Sequence, residues 1–167
     1  MRIEFLKGTE EDVPSIGILY REAVAFMASN GLDQWQTGYP NEEDALLDVK
    51  RGFSRVLKEG DKVIAACAVI PYEPDYERIE GEWKGDSYLA VHRVAVSTAY
   101  KGRGYAGLLF SEAEKEGRSQ AVSAIRVDTH KDNKPMRSAL EKSGFCYRGI
   151  IYLSRGGAPR VAYEKLI

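Results

Sequence analysis

Between positions 101 and 107 the chain reads Lys-Gly-Arg-Gly-Tyr-Ala-Gly, three glycines with two cations among them. A glycine-rich turn that opens into a helix aims several backbone N–H groups at one place, and glycine lets phosphate oxygens come close to them. Lys101 and Arg103 add positive charge in the same turn, so its expected guest is a pyrophosphate. Proton transfer at neutral pH suits imidazole, whose ordinary pKa is about 6.5, and the sequence holds two histidines, His92 and His130. Asp128 stands just before His130; it can orient a side chain in a cleft or be a solvated acid at a strand end.

Those groups need a scaffold. The apolar stretch Tyr88–Val96 predicts a strand leading to the turn, and Ala106, Leu109, Phe110 and Ala113 line one face of a helix from Gly104 to about Gly117. Upstream, Arg2 to Leu6 predicts a short strand, and Thr9 with Asp12 predicts a helix start. Val13, Ile16, Tyr20, Ala23, Val24 and Met27 then share a helical face as far as Asn30-Gly31. A shorter helix follows the cap Asn41, and Ser54–Lys58 with Lys62–Pro71 reads as a hairpin. The acidic run from Glu73 to Asp86 reads as a solvated loop that could also attract a cation. Downstream come a strand Ala124–Thr129, a helix Pro135–Ser143 stopped by Gly144, and closing strands Cys146–Leu153 and Arg160–Leu166. This order predicts a mixed α/β fold of about seven strands and about four helices. With no repeat or linker to divide it, residues 1–167 read as a single domain.

The 167 residues carry 24 Lys+Arg against 25 Asp+Glu, a formal net charge of −1. No overall basic field exists to hold nucleic acid or an anionic membrane. The longest apolar run, Val63–Ile70, is far shorter than the ~20 residues of a membrane span, and the start lacks the apolar core of a secretion signal. Cys67 and Cys146 are too few for a disulfide framework and have no His/Cys cluster around them for a metal. The expectation is a cytoplasmic protein without metal, nucleic acid or membrane partners.

Gly102, Gly104 and Gly107 satisfy GxGxxG, and Asp128 follows Gly107 by 21 residues, where a dinucleotide fold places its ribose-binding acid. Against that reading, Ser97 to Lys101 separate the strand from the first glycine, and antiparallel hairpins precede the motif. The 39 residues after Asp128 are also too few for the other half of a doubly wound sheet. The same residues fit a second pattern, [Gln/Arg]-x-x-Gly-x-[Gly/Ala], met as Lys101-Gly-Arg-Gly104-Tyr-Ala106. With Val94-Ala95-Val96 before it and Asn133 and Gly144-Phe145 after it, the chain resembles the GNAT superfamily of acetyl-CoA-dependent N-acetyltransferases. The resemblance covers nearly the whole chain; Lys101 replaces the usual Gln or Arg.

The resemblance implies a splayed sheet with acetyl-CoA lying between the strands Tyr88–Val96 and Ala124–Thr129. Along Val94-Ala95-Val96, backbone groups of Val94 and Val96 would pair with the pantetheine arm, and an N–H near Val94 would polarise the acetyl carbonyl. Lys101, Gly102, Arg103, Gly104, Tyr105, Ala106 and Gly107 would hold the pyrophosphate. Asn133 would touch the cofactor, cap the helix beginning at Pro135, or do both. The implied reaction is direct attack of a primary amine on the thioester, with a base to remove the amine proton.

His92 is the first candidate base, on a strand face shared with Ala90 and Val94, where some relatives carry a proton-relaying histidine. A buried histidine bonded to its neighbours is the other reading. His130 is the second candidate base, or a turn cap. Many relatives place a thiolate-protonating tyrosine where this chain has Leu140; Tyr147 and Tyr152 are substitutes or packing residues. Trp35 and Tyr39 could wall an acceptor site, Trp35 otherwise plugging the core. The acceptor could be a small-molecule amine or a peptide or protein amine, and relatives are often homodimers. Two other classes stay open: a non-catalytic acyl-CoA-binding sensor, and an NAD(P)-dependent oxidoreductase using the GxGxxG glycines.

Overall fold

Short polar caps open the 3₁₀ turn Glu10–Asp12, which leads into the first helix, and the second helix itself. The Asp12 carboxylate accepts the Thr9 backbone N–H at 2.9 Å and its hydroxyl at 3.2 Å, and the Asn41 side chain accepts the Glu43 and Asp44 amides. The computed structural model describes residues 2–167. Its first half holds β1 (Ile3–Lys7), α1 (Val13–Ser29), α2 (Glu42–Lys50), β2 (Ser54–Glu59) and β3 (Lys62–Ile70). Then come β4 (Glu80–Gly81), β5 (Tyr88–Val96), α3 (Tyr105–Ser119), β6 (Ala124–Thr129), α4 (Lys134–Lys142), β7 (Cys146–Tyr152) and β8 (Pro159–Leu166). Among the described residues this is a mixed sheet of eight strands with four α-helices, one strand more than expected. The addition is β4, two residues inside the acidic run, too short to show any periodicity. No helix of the described residues is long and apolar enough to cross a membrane.

The contacts group the chain into two compact units, Met1–Val69 with Arg93–Leu109, and Ile70–His92 with Phe110–Ile167. β5 and α3 each contribute to both. In the first unit β1 pairs antiparallel with β2, from Ile3–Glu59 to Lys7–Arg55, and β2 with β3. Ile16, Leu19, Tyr20 and Ala23 from one face of α1 pack with Ala45, Val56, Val63, Ala66 and Ala95. Trp35 leans on this cluster, edge-on to Tyr20 at 6.1 Å, a packing role that matches one of its two readings.

Arg93 interrupts β5. Its φ is +53°, a conformation uncommon for a residue with a Cβ. Its guanidinium grips the Asp48 carboxylate with two bonds, Nε to Oδ2 at 2.8 Å and Nη2 to Oδ1 at 2.7 Å, and gives a third to the Tyr39 hydroxyl at 2.7 Å. Burial works against the Arg93 charge, but Asp48 and Tyr39 outweigh it and push its pKa up. The period-two alternation that would put Val94 on the face of His92 therefore stops at Arg93.

In the second unit the start of β5 pairs parallel with β6, from Tyr88–Ala124 to Ala90–Arg126. β8 runs antiparallel to β6 and to β7, and β4 closes on β7. Gly81 faces Gly149 there, and a Cβ on Gly149 would collide with the Glu80 carbonyl oxygen; only a residue without a side chain fits. α4 ends with Gly144 at φ +89°, its N–H bonded to the Glu141 carbonyl and the Phe145 N–H to that of Leu140. Phe145 thereby reaches Phe110, ring centroids 5.3 Å apart.

A buried ionic knot fastens the polar segment between β4 and β5. Glu164 is wholly buried and accepts Arg126 Nε and Arg148 Nε, each at 2.9 Å, with the Lys84 amide at 2.8 Å and the Gly85 amide at 3.2 Å. The Arg126 guanidinium lies between the Trp83 ring at 4.4 Å and the Tyr88 ring at 4.2 Å. Burial alone would raise the Glu164 pKa; Arg148, the Lys84 amide, Arg126 and the Gly85 amide together hold it below its ordinary value of 4.5. A carboxylate lowered on folding binds fewer protons folded than unfolded, so its contribution is complete above the ordinary value and fades as pH falls through the folded one. Glu164→Gln leaves the buried Arg126 and the half-buried Arg148 without this counter-charge and is expected to cost about 3–5 kcal/mol. Urea unfolding would show a large drop at pH 7 that narrows in acid.

Candidate active site

The glycine turn is built within the first unit by contacts on each side of it. The Ser97 N–H bonds the Ile64 carbonyl at 2.8 Å, and the Thr98 N–H bonds Glu22 Oε1 at 2.8 Å. A 3₁₀ turn, Thr98–Tyr100, follows; it occupies the interval that a dinucleotide motif does not have. The Tyr100 hydroxyl donates to Glu59 at 2.9 Å, and its ring lies 5.1 Å from both Lys62 Nζ and the Arg103 guanidinium.

Gly102 and Gly104 then adopt φ of +78° and +83°. A Cβ at either would meet nothing within 4 Å, so glycine is required there by backbone conformation and not by crowding. α3 begins at Tyr105, and Leu108 donates to the Gly104 carbonyl at 3.1 Å. The first-turn amides of a helix have no acceptor within the helix itself, so the N-terminus of this 15-residue helix carries the kind of donors that an anion such as a pyrophosphate needs. Lys101, expected to add charge, places Nζ 3.3 Å from the centre of the Phe26 ring. Burial there lowers its pKa, with Glu22 pulling the other way. Upstream, Ala95 is buried while Val94 and Val96 are partly exposed.

The second unit gathers a different chemistry around His92. Its Nε2 lies 3.2 Å from Glu73 Oε1, and its Nδ1 lies 3.9 Å from Asp128 Oδ2. The Tyr76 hydroxyl donates to that same Asp128 oxygen at 2.7 Å, and the Tyr76 ring tilts against the imidazole at 5.8 Å. Asp128, which the sequence also allows as a solvated acid at a strand end, has only 11% of its side chain exposed. Burial pushes its carboxyl up, against the lowering influence of His92, Tyr76 and Arg160. Tyr76 is buried, and its pKa rises for that reason and because Asp128 takes its proton in a hydrogen bond.

The other anticipated side chains sit elsewhere in this unit. His130 Nδ1 accepts the Asp132 amide at 3.0 Å, in the turn that leads to α4. Asn133, buried, caps α4 by accepting the Met136 amide at 3.2 Å. Tyr147 is 51% exposed, its ring edge-on to Tyr163 at 6.1 Å, and Tyr152 donates to Glu80 at 3.2 Å. Leu140 is wholly buried.

Glu73 and Tyr76 were not anticipated, because their segment reads as a solvated acidic loop. One signal was present. Glu73 directly precedes a proline, the pattern of a helix cap followed by its first residue. Its side chain does cap the 3₁₀ turn Pro74–Arg78, accepting the Asp75 amide at 3.3 Å.

Residues 19–145 match the acetyltransferase (GNAT) family. The uncharacterized N-acetyltransferase YesJ of Bacillus subtilis (strain 168) is 24% identical over 143 residues, covering 83% of this chain and 79% of YesJ. A GNAT-family acetyltransferase structure from Streptococcus agalactiae 2603 superposes with a TM-score of 0.87 at 35% identity, over 99% of this chain and 95% of that one. The PaiA N-acetyltransferase of Thermoplasma acidophilum, solved in complex with coenzyme A, shares the fold with a TM-score of 0.77 at 17% identity, over the full length of both chains. A family match across most of the sequence, on a mixed sheet that superposes on a 35% identical acetyltransferase, means that this chain belongs to the GNAT family of acetyltransferases.

Proposed function

We propose that this chain transfers the acetyl group of acetyl-CoA to a primary amine by direct attack, as one cytoplasmic domain over residues 1–167. The observation that carries the reading is the pair of left-handed glycines at the head of α3, in a chain of this family. The family match runs through both compact units, which supports a single domain, and a chain with only two cysteines suits a reducing compartment.

Bound acetyl-CoA supplies the activated thioester carbonyl. The amides of residues 102–107 hold its pyrophosphate, Lys101 and Arg103 lend charge, and Asn133 adds a cofactor contact to its capping role. Backbone groups of Val94 and Val96 pair with the pantetheine arm, and an N–H near Val94 polarises the carbonyl. An acceptor amine with the ordinary lysine pKa of about 10.4 must lose a proton at a cost of roughly 4–5 kcal/mol at pH 7. His92 is the side chain whose surroundings suit that transfer: an imidazole between two carboxylates, with 14% of its side chain exposed. Water serves the departing thiolate, since the position usually held by tyrosine is Leu140.

Thermal unfolding with acetyl-CoA, free CoA and NADH tests the ligand. At 100 times its dissociation constant a ligand adds about 2.7 kcal/mol, or several degrees for a domain of this size. Both CoA species are expected to raise Tm and NADH to leave it unchanged. Gly104→Glu, which puts a side chain and a negative charge on a φ of +83°, is expected to abolish the CoA shift; a retained shift would place the pyrophosphate elsewhere. For turnover, His92→Ala is expected to lower kcat/KM about 10²–10⁴-fold near neutral pH, with partial recovery at high pH, read by thiol release with a panel of amines. CoA binding without thiol release for any amine would favour an acyl-CoA sensor, the reading that Leu140 leaves open.

A further inference from the structure

His92 has two carboxylate neighbours, and they are not equivalent. Asp128 is already engaged: its Oδ2 accepts the Tyr76 hydroxyl, and at 3.9 Å from Nδ1 it lies beyond hydrogen-bond reach. It acts on the imidazole as a charge. Glu73 stands 3.2 Å from Nε2, a nitrogen that is fully buried and has no aligned hydrogen bond. A small turn of ring or carboxylate changes the angle far more than the distance, and such contacts tighten when a site is occupied. The 14% of the side chain that stays exposed therefore lies away from Nε2.

Glu73 is itself held in place. Its second carboxylate oxygen accepts the Asp75 amide at 3.3 Å, its backbone N–H donates to the Tyr88 hydroxyl at 2.8 Å, and Pro74 follows it at the start of the 3₁₀ turn. Resting on the reading of His92 as the base, we propose that Glu73 is its positioning residue: Oε1 keeps the neutral ring's proton on Nε2, so that Nδ1 presents the lone pair that takes the amine proton. The step balances simply. Nδ1 gains the proton the ammonium loses, the charge on the ring is met by Glu73 and Asp128, and the proton is later returned to solvent. The groups that face the ring are Glu73 and Tyr76 from the capped turn and Asp128 from β6. Behind them stand Tyr88 on β5, bonded to Glu73, and Arg160 on β8, which acts on Asp128.

The experiment compares Glu73→Gln, Glu73→Ala and His92→Ala in the full chain. Nitrogen-15 NMR on histidine-labelled protein reads the tautomer, and with two histidines in the chain the His92→Ala spectrum identifies the signals of His130. Wild type is expected to show His92 protonated on Nε2, and Glu73→Ala to lose that preference. Glu73→Gln keeps an acceptor oxygen and the tautomer but removes the charge, so the acidic limb of its kcat/KM profile moves to lower pH. Both variants are expected to lose about tenfold in kcat, less than the loss of the base itself, with KM for acetyl-CoA within about twofold of wild type. An unaltered His92 spectrum in Glu73→Ala, or an unmoved acidic limb in Glu73→Gln, overturns the assignment. Full activity in His92→Ala would instead remove the base reading on which it rests, whereas a slow His92→Ala beside unimpaired Glu73 variants removes only the role of Glu73.

Discussion

Arg93 occupies a left-handed conformation in the middle of a strand, a geometry that costs on the order of 1–3 kcal/mol for a residue bearing a Cβ. It persists because the guanidinium gains more than it loses: two charge-assisted bonds to Asp48 and one to Tyr39, all at 2.7–2.8 Å. Lysine could not reproduce that fork. Val94–Val96 follow this residue directly, and His92 directly precedes it. The kink is thus secured by a side-chain clamp from α2 and the loop before it.

The two units use charge differently. In the first, hydrogen bonds to carboxylates and cation–ring contacts brace the glycine turn; Tyr100, Glu59, Lys62 and Glu22 hold the frame, and two glycines let it bend. In the second, a carboxylate is buried whole. Glu164 with Arg126 and Arg148 is a closed set in which each carboxylate oxygen has two donors. The His92 cluster is an open one, with an imidazole nitrogen short of an aligned partner. Satisfied polar networks rigidify.

What could be read in the sequence was what is local. The glycine turn, the cap at Asn41, the stop at Gly144 and the amphipathic faces of α1 and α3 each declare themselves within a few residues. The placement of His92 on the strand before the turn was legible for the same reason. Glu73 was not, because its meaning depends on a partner 19 positions away that only the folded segment supplies. Arg126 and Glu164 are 38 positions apart, and neither position announces the other. The break at Arg93 was hidden by its chemistry: an arginine carries no sign that its φ will be positive, whereas a glycine there would have.

The chain has two tryptophans, and the fold puts one in each unit. Trp35 packs on the core of the first, edge-on to Tyr20. In the second, Trp83 lies against Arg126, with its indole N–H bonded to the Tyr76 carbonyl at 2.8 Å. Their emission is therefore two separate optical signals. With Trp35 replaced by phenylalanine, the remaining fluorescence reports the surroundings of Tyr76 and Arg126 alone; with Trp83 replaced, it reports the packing of α1. The unfolding of each unit can thus be followed by a fluorimeter without any added label.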